Sequence, residues 1–81
     1  MRPIYYPTVK GWEFSHNGTE FRAEHQLGAR NVRLLHHHDG VWELGHSREI
    51  SDPRKAKDMA ALMRRYIAGI IDWDEYNEAE V

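Results

Sequence analysis

The chain has no cysteine, only three prolines, and no apolar run near the roughly 20 residues a membrane-spanning helix needs. The first absence excludes disulfides, thiolate metal sites and a cysteine nucleophile, and it leaves the redox compartment open. The start, Met1-Arg2-Pro3, leads into no signal-type apolar stretch, so a cytoplasmic location without membrane contact is expected. A large excess of one charge is also missing. Eleven basic and thirteen acidic residues give a formal charge of −2, which excludes a grossly basic nucleic-acid binder. No glycine-rich phosphate loop is present, because the six glycines are spread along the chain, one to a turn or a helix end.

What is there fits one small domain spanning residues 1–81, since 41% hydrophobic and 30% charged residues are a globular balance and not a disordered one. Trp12 and Phe14 alternate with Glu13 and Ser15, Asn17-Gly18 interrupts, and Phe21 and Ala23 then alternate with Arg22 and Glu24. Asn-Gly between alternating segments signals a hairpin, because both central residues of a type I′ turn need positive φ. The register pairs Phe14 with Phe21 and Trp12 with Ala23 on one face, and Glu13 with Arg22 on the other. A second two-residue turn at Gly28-Ala29, glycine first, pairs His25 with Val32, Ala23 with Leu34 and Glu24 with Arg33.

The third turn offers two registers. A two-residue Asp39-Gly40 loop puts Leu35 and His37 beside Leu44 and Trp42, whereas a three-residue His38-Asp39-Gly40 loop puts Leu34 with Leu44 and His36 with Trp42. The second keeps Val32 and Leu34 on the face already chosen, so it is the expected one. The expectation is a four-stranded antiparallel meander over residues 9–47. Trp12, Phe14, Phe21, Ala23, Val32, Leu34, Trp42 and Leu44 line one face. Residues 1–8 form an extended arm or edge strand.

A helix over residues 52–69 should cover the apolar face. Asp52 suits an N-cap, Pro53 the first turn and Gly69 the terminator, and Ala56, Met59, Ala60, Met63, Ile67 and Ile70 recur at helical spacing. Asp72-Trp73-Asp74-Glu75 has the capping-box form and predicts a short acidic helix over 72–80, with Trp73 and Tyr76 on its apolar side. The predicted class is therefore α+β.

Charge divides the chain. Residues 1–70 carry eleven basic and eight acidic groups, while residues 71–81 carry five acidic and none basic. On a helical wheel Arg54, Lys57, Arg64 and Arg65 share one quadrant with Ala61 and Ala68, a stripe suited to phosphates or to an acidic protein surface. The bland alternative is a solvated face supported by an Arg54–Asp58 pair at i, i+4. Asp74, Glu75 and Glu78 are the acidic counterpart, either folded back on the stripe or turned toward a partner.

Histidines are the other notable feature, six in all. His36 and His38 at i, i+2 could hold a metal with Asp39 or His16, but a third ligand does not follow from the register, and the expectation is no metal and no cofactor. His25 and His46 flank Val32 in one row, at the margin of the core or as a pH-sensitive pair. Gly45-His46-Ser47-Arg48-Glu49 lacks the second glycine of a nucleophile elbow, and 81 residues cannot supply the large sheet that motif needs, so no enzyme is expected.

The order of strands followed by one helix is similar to that of the arm-site DNA-binding domains of phage integrases, in element order alone. A DNA-reading sheet should not turn Glu13, Glu20, Glu24 and Glu43 toward phosphates. The expected function is thus a small non-enzymatic protein-binding module, an accessory or inhibitory protein of bacterial or phage origin acting through charged surface. The alternative is nucleic-acid binding by the basic face of the main helix. A weak homodimer through an edge strand or the arm is a further expectation.

Overall fold

The structure, a computed structural model, describes residues 1–81. Five strands, β1 (Arg2–Tyr5), β2 (Val9–His16), β3 (Thr19–Gln26), β4 (Asn31–His38) and β5 (Val41–Glu49), form one antiparallel sheet in sequence order. Helices α1 (Ala56–Ile67) and α2 (Trp73–Glu78) follow. The class is α+β as expected, but the sheet has five strands and not four, because the arm pairs with β2 from Arg2 opposite Glu13 to Tyr5 opposite Lys10. As an edge strand β1 can tolerate Pro3, whose missing N–H costs nothing on an unpaired side.

The first hairpin follows the expected register, with Phe14 opposite Phe21 and Trp12 opposite Ala23. Asn17 (φ 49°) and Gly18 (φ 80°) supply the two left-handed residues the turn requires. The β3–β4 register is also as expected from Phe21 opposite His36 to Glu24 opposite Arg33. Its turn is not. The Ala29 N–H donates to the Gln26 carbonyl at 2.9 Å and Gly28 has φ 83°, so glycine is the second central residue of a turn over 26–29, not the first of a type II′ turn.

The third hairpin corrects the expectation. Asp39 (φ 48°) and Gly40 (φ 80°) make a two-residue turn, and His37 faces Trp42 while Leu35 faces Leu44. Trp42 and Leu44 therefore leave the core for the open face, where Leu44 is 59% exposed. A register shift between Leu34 and Leu35 then places Leu34 opposite His46 and Val32 opposite Arg48. Gly45 is the additional residue of this bulge, and a Cβ there would lie 3.3 Å from the Leu34 carbonyl. The bulge turns β5 over at its midpoint: Trp42 and Leu44 point to one side, His46 and Arg48 to the other. The row His25–Val32–His46 consequently does not form.

One core sits between the sheet and the helices. It comprises Trp12, Ala23, Val32, Leu34, Ile50, Ala56, Met59, Ala60, Met63 and Tyr76. Each large apolar side chain so buried contributes about 1.5–3 kcal/mol. The main helix is shorter than its 52–69 pattern. Asp52 accepts the Arg54 N–H at 2.8 Å, Pro53–Lys55 form a 3-10 turn, and α-helical bonding begins at Ala56. It ends in a Schellman motif: Gly69 (φ 76°) donates to Tyr66 at 3.0 Å and Ile70 to Arg65 at 3.0 Å. Ile70 thus falls beyond the helix and is 67% exposed, not part of its apolar face.

The short second helix has the predicted capping box, with Glu75 N–H on Asp72 Oδ1 at 2.8 Å and Asp72 N–H on Glu75 Oε1 at 3.2 Å. Tyr76 is fully buried and stacks on Tyr66 with centroids 4.5 Å apart, whereas Trp73 is 52% exposed. Arg48 donates to the carbonyls of Tyr76 at 2.7 Å and Ala79 at 2.8 Å, and Ser51 N–H donates to Val81 at 2.8 Å. The terminal segment is an integral part of the fold.

Candidate functional site

The four predicted basic residues occupy two places. Arg54 lies in the 3-10 turn before α1, and its Nε and Nη2 donate to Asp52 at 3.0 and 2.8 Å, not to Asp58. Hydrogen bonds from the Arg54 side chain and backbone hold the Asp52 carboxyl well below the usual carboxylate range. Lys57, Arg64 and Arg65 are exposed on α1 and make no ion pair. Seven residues, about 10 Å of helix, separate Lys57 from Arg64.

The predicted acidic residues lie on α2. Glu75 is spent on the capping box, while Asp74 and Glu78 are exposed and unpaired. Although α2 packs on α1 through Tyr76 and Tyr66, no carboxylate of residues 71–81 is bonded to Arg64 or Arg65. The fold therefore presents separate basic and acidic surfaces on neighbouring helices.

Arg54 and Lys57 join residues that the sequence reading did not select. A groove of about 430 Å³ runs between the β1–β2 connection and the start of α1, walled by Tyr5, Val9, Trp12, His25 and Pro53. Lys10 also lines it, its Nζ 5.5 Å from the Tyr5 ring centre and 5.6 Å from that of Trp12. No aspartate or glutamate is among the lining residues. Two contacts tie the wall together: His25 is 6% exposed and its Nε2 lies 2.7 Å from the Ala29 carbonyl oxygen, while Leu27 N–H donates to Thr8 at 2.9 Å. Lys10 and Trp12, two apart on one strand, were the available signal. Their meeting with Lys57 depends on the docking of α1, which no local pattern encodes.

The open face of the sheet is charged, and its charges are paired with one another. Arg2 pairs with Glu13, Arg22 Nε donates to Glu13 at 3.1 Å, Arg22 lies 3.6 Å from Glu24, and Arg33 lies 3.3 Å from Glu24. Trp42 covers Arg22, with the guanidinium carbon 4.3 Å from the ring centre. Burial opposes ionisation of Glu13, yet hydrogen bonds from Arg22 and Arg2 outweigh it and hold its carboxyl below the ordinary value. Every arginine of this row is engaged by a carboxylate.

The histidines disperse. His36 Nε2 is 3.8 Å from Glu43, His38 Nε2 is 3.2 Å from Asp39, and no group of three or more donors is placed to hold a metal. His46 instead meets Tyr76, its Nε2 2.8 Å from the hydroxyl. No helix is long and apolar enough to cross a membrane.

Comparison with known proteins gives one family. Residues 12–79, from the second strand of the meander through the end of the acidic helix, match the model of the Mycobacterium phage L5 gene 74 protein family. No curated protein and no solved structure matches at a significant level. The match covers most of the chain, and the chain belongs to that phage protein family.

Proposed function

We propose that this small phage-family protein is a non-enzymatic protein-binding module, an accessory or inhibitory protein that acts through its charged surface. The observation that carries this reading is the pairing pattern. Glu13, Glu24, Arg2, Arg22 and Arg33 are paired with one another on the sheet, while Lys57, Arg64 and Arg65 on α1 and Asp74 and Glu78 on α2 have no partner within the chain. Unpaired charges of both signs on a rigid scaffold give electrostatic complementarity to a protein surface, which selects a partner and speeds encounter. A duplex would meet the acidic helix beside the basic one, and each carboxylate near a phosphate opposes binding.

The test compares the wild-type protein with a basic variant (Lys57→Glu, Arg64→Glu, Arg65→Glu) and an acidic variant (Asp74→Asn, Glu78→Gln). Each is immobilised and exposed to lysate from phage-producing cells, and each is also passed over duplex DNA at graded salt. The expected result is retention of the same protein by the wild type and its loss from one variant, with elution from DNA below physiological salt. Tight DNA retention at physiological salt, removed by the basic variant, would support the nucleic-acid reading instead.

A further inference from the structure

We infer that the groove between the β1–β2 connection and α1 is the docking site for an extended acidic segment of a protein partner. The inference rests on the protein-binding reading and narrows it to a place and a ligand chemistry. Its volume of about 430 Å³ is within the roughly 300–1,000 Å³ typical of ligand pockets. Three cations, Lys10, Arg54 and Lys57, line it without any carboxylate. The carboxylate that holds Arg54, Asp52, uses its Nε and Nη2 and leaves Nη1 unbonded.

Lys10 is the most telling of the three. Its ammonium lies beside two aromatic rings and has no acidic partner, so a ligand carboxylate has no competing carboxylate to displace. Lys57 stands across the groove on the first turn of α1 and is likewise unpaired. The rim adds apolar surface that the core does not use: Tyr5 is 69% and Leu27 82% exposed. Aromatic and aliphatic walls with separated cations suit a peptide that alternates carboxylate and apolar side chains, with Lys10 and Lys57 each meeting a carboxylate.

The experiment uses the full-length protein and a labelled ten-residue peptide of alternating glutamate and leucine, with the glutamine–leucine peptide as control. Calorimetry measures affinity, and backbone amide shifts locate the site. The expected result is binding of the acidic peptide alone, with shifts at Tyr5, Lys10, Leu27 and Lys57. Lys57→Glu should weaken it tenfold or more, and so should Lys10→Gln, a milder change that keeps the aliphatic stem on Trp12. Arg33→Gln, on the open face of the sheet and outside the groove, should leave it within twofold. Equal binding of the glutamine peptide, or binding unaffected by Lys10→Gln and Lys57→Glu in proteins that melt like the wild type, overturns the inference.

Two further outcomes separate it from the broader reading. Shifts confined to Arg64 and Arg65 remove the groove and leave protein binding intact. A single-stranded oligonucleotide that displaces the peptide from the same residues, and binds more tightly, removes both. Concentration-dependent sedimentation lost on Lys10→Gln would identify the occupant as a second copy's acidic helix and overturn the foreign partner.

Discussion

The hydroxyl of Tyr76 lies 2.8 Å from Nε2 of His46, joining the buried face of α2 to the strand that turns over at Gly45. Arg48, two residues on, holds the Tyr76 carbonyl at 2.7 Å and places its guanidinium carbon 4.5 Å from the Tyr76 ring centre. The acidic helix is thereby anchored from below, and its carboxylates are presented on a fixed frame.

This anchoring sets the first expectation. Tyr76→Ala should cost about 3–5 kcal/mol, the range for emptying a large aromatic site. Tyr76→Phe should cost only about 0.5–1.5 kcal/mol, the net worth of one hydrogen bond. Urea unfolding of both variants measures the two values. Removal of residues 72–81 should unfold the domain, so deletion cannot report on the charge of the tail. Neutralising Asp74 and Glu78 singly does.

A second expectation concerns pH. Burial lowers the His46 pKa below its ordinary value of 6.5, and the nearby Arg48 charge lowers it further. The unfolded chain therefore takes up a proton on this residue at higher pH than the folded one does. The neutral-His46 stability is fully present above about pH 6.5 and is lost as pH falls through the unfolded value toward the lower folded one. His46→Gln should flatten that part of the stability profile. Urea midpoints at pH 7.5 and pH 5.5 for both proteins check it, and an equal drop in the two would show that other groups control the loss.

A third expectation tests the register of the last hairpin. Trp42→Ala removes the cover over Arg22 and an aromatic contact with His37, 5.1 Å between centroids, at a cost of about 0.5–2 kcal/mol. Leu34→Ala, 3% exposed in the core, should cost about 2–5 kcal/mol. Chemical denaturation ranks them. A Trp42 cost as large as that of Leu34 would place Trp42 under the helix after all.

The first hairpin, the β3–β4 strand pairing, the presence of both helices, the Gly69 stop and the capping box of α2 were legible because each is written in local chemistry. Asn17-Gly18 admits one turn type, and Asp72 with Glu75 satisfies two helix-end donors reciprocally. The last hairpin was not legible from the apolar pattern. Keeping Trp42 and Leu44 inside required a longer turn, but Asp39-Gly40 fits the two-residue turn so well that the chain accepts it. A bulge at Gly45 then returns the strand's second half to the other parity. The arm was ambiguous because Pro3 and Pro7 discourage a strand, yet an edge position asks for pairing on one side only.

Among the candidate site residues, Arg54 and Lys57 were legible as cations on the exposed side of a helix. Their company was not. Tyr5 and Lys10 face each other across the β1–β2 connection, and together with Leu27 they meet Lys57 only because α1 docks on the sheet. Arg54 also chose Asp52, two residues away at the cap, over Asp58 one turn on.

The most direct measurement of the central claim is photo-crosslinking from the groove in phage-producing cells. A benzophenone amino acid replaces Tyr5, whose ring is exposed at the rim, and the crosslinked products are digested and sequenced. The expected product is one protein joined through a carboxylate-rich segment, and it should disappear when Lys57 is changed to Glu. Crosslinks mainly to nucleic acid, or to many proteins without an acidic segment and insensitive to Lys57→Glu, would contradict a protein-binding module that works through this surface.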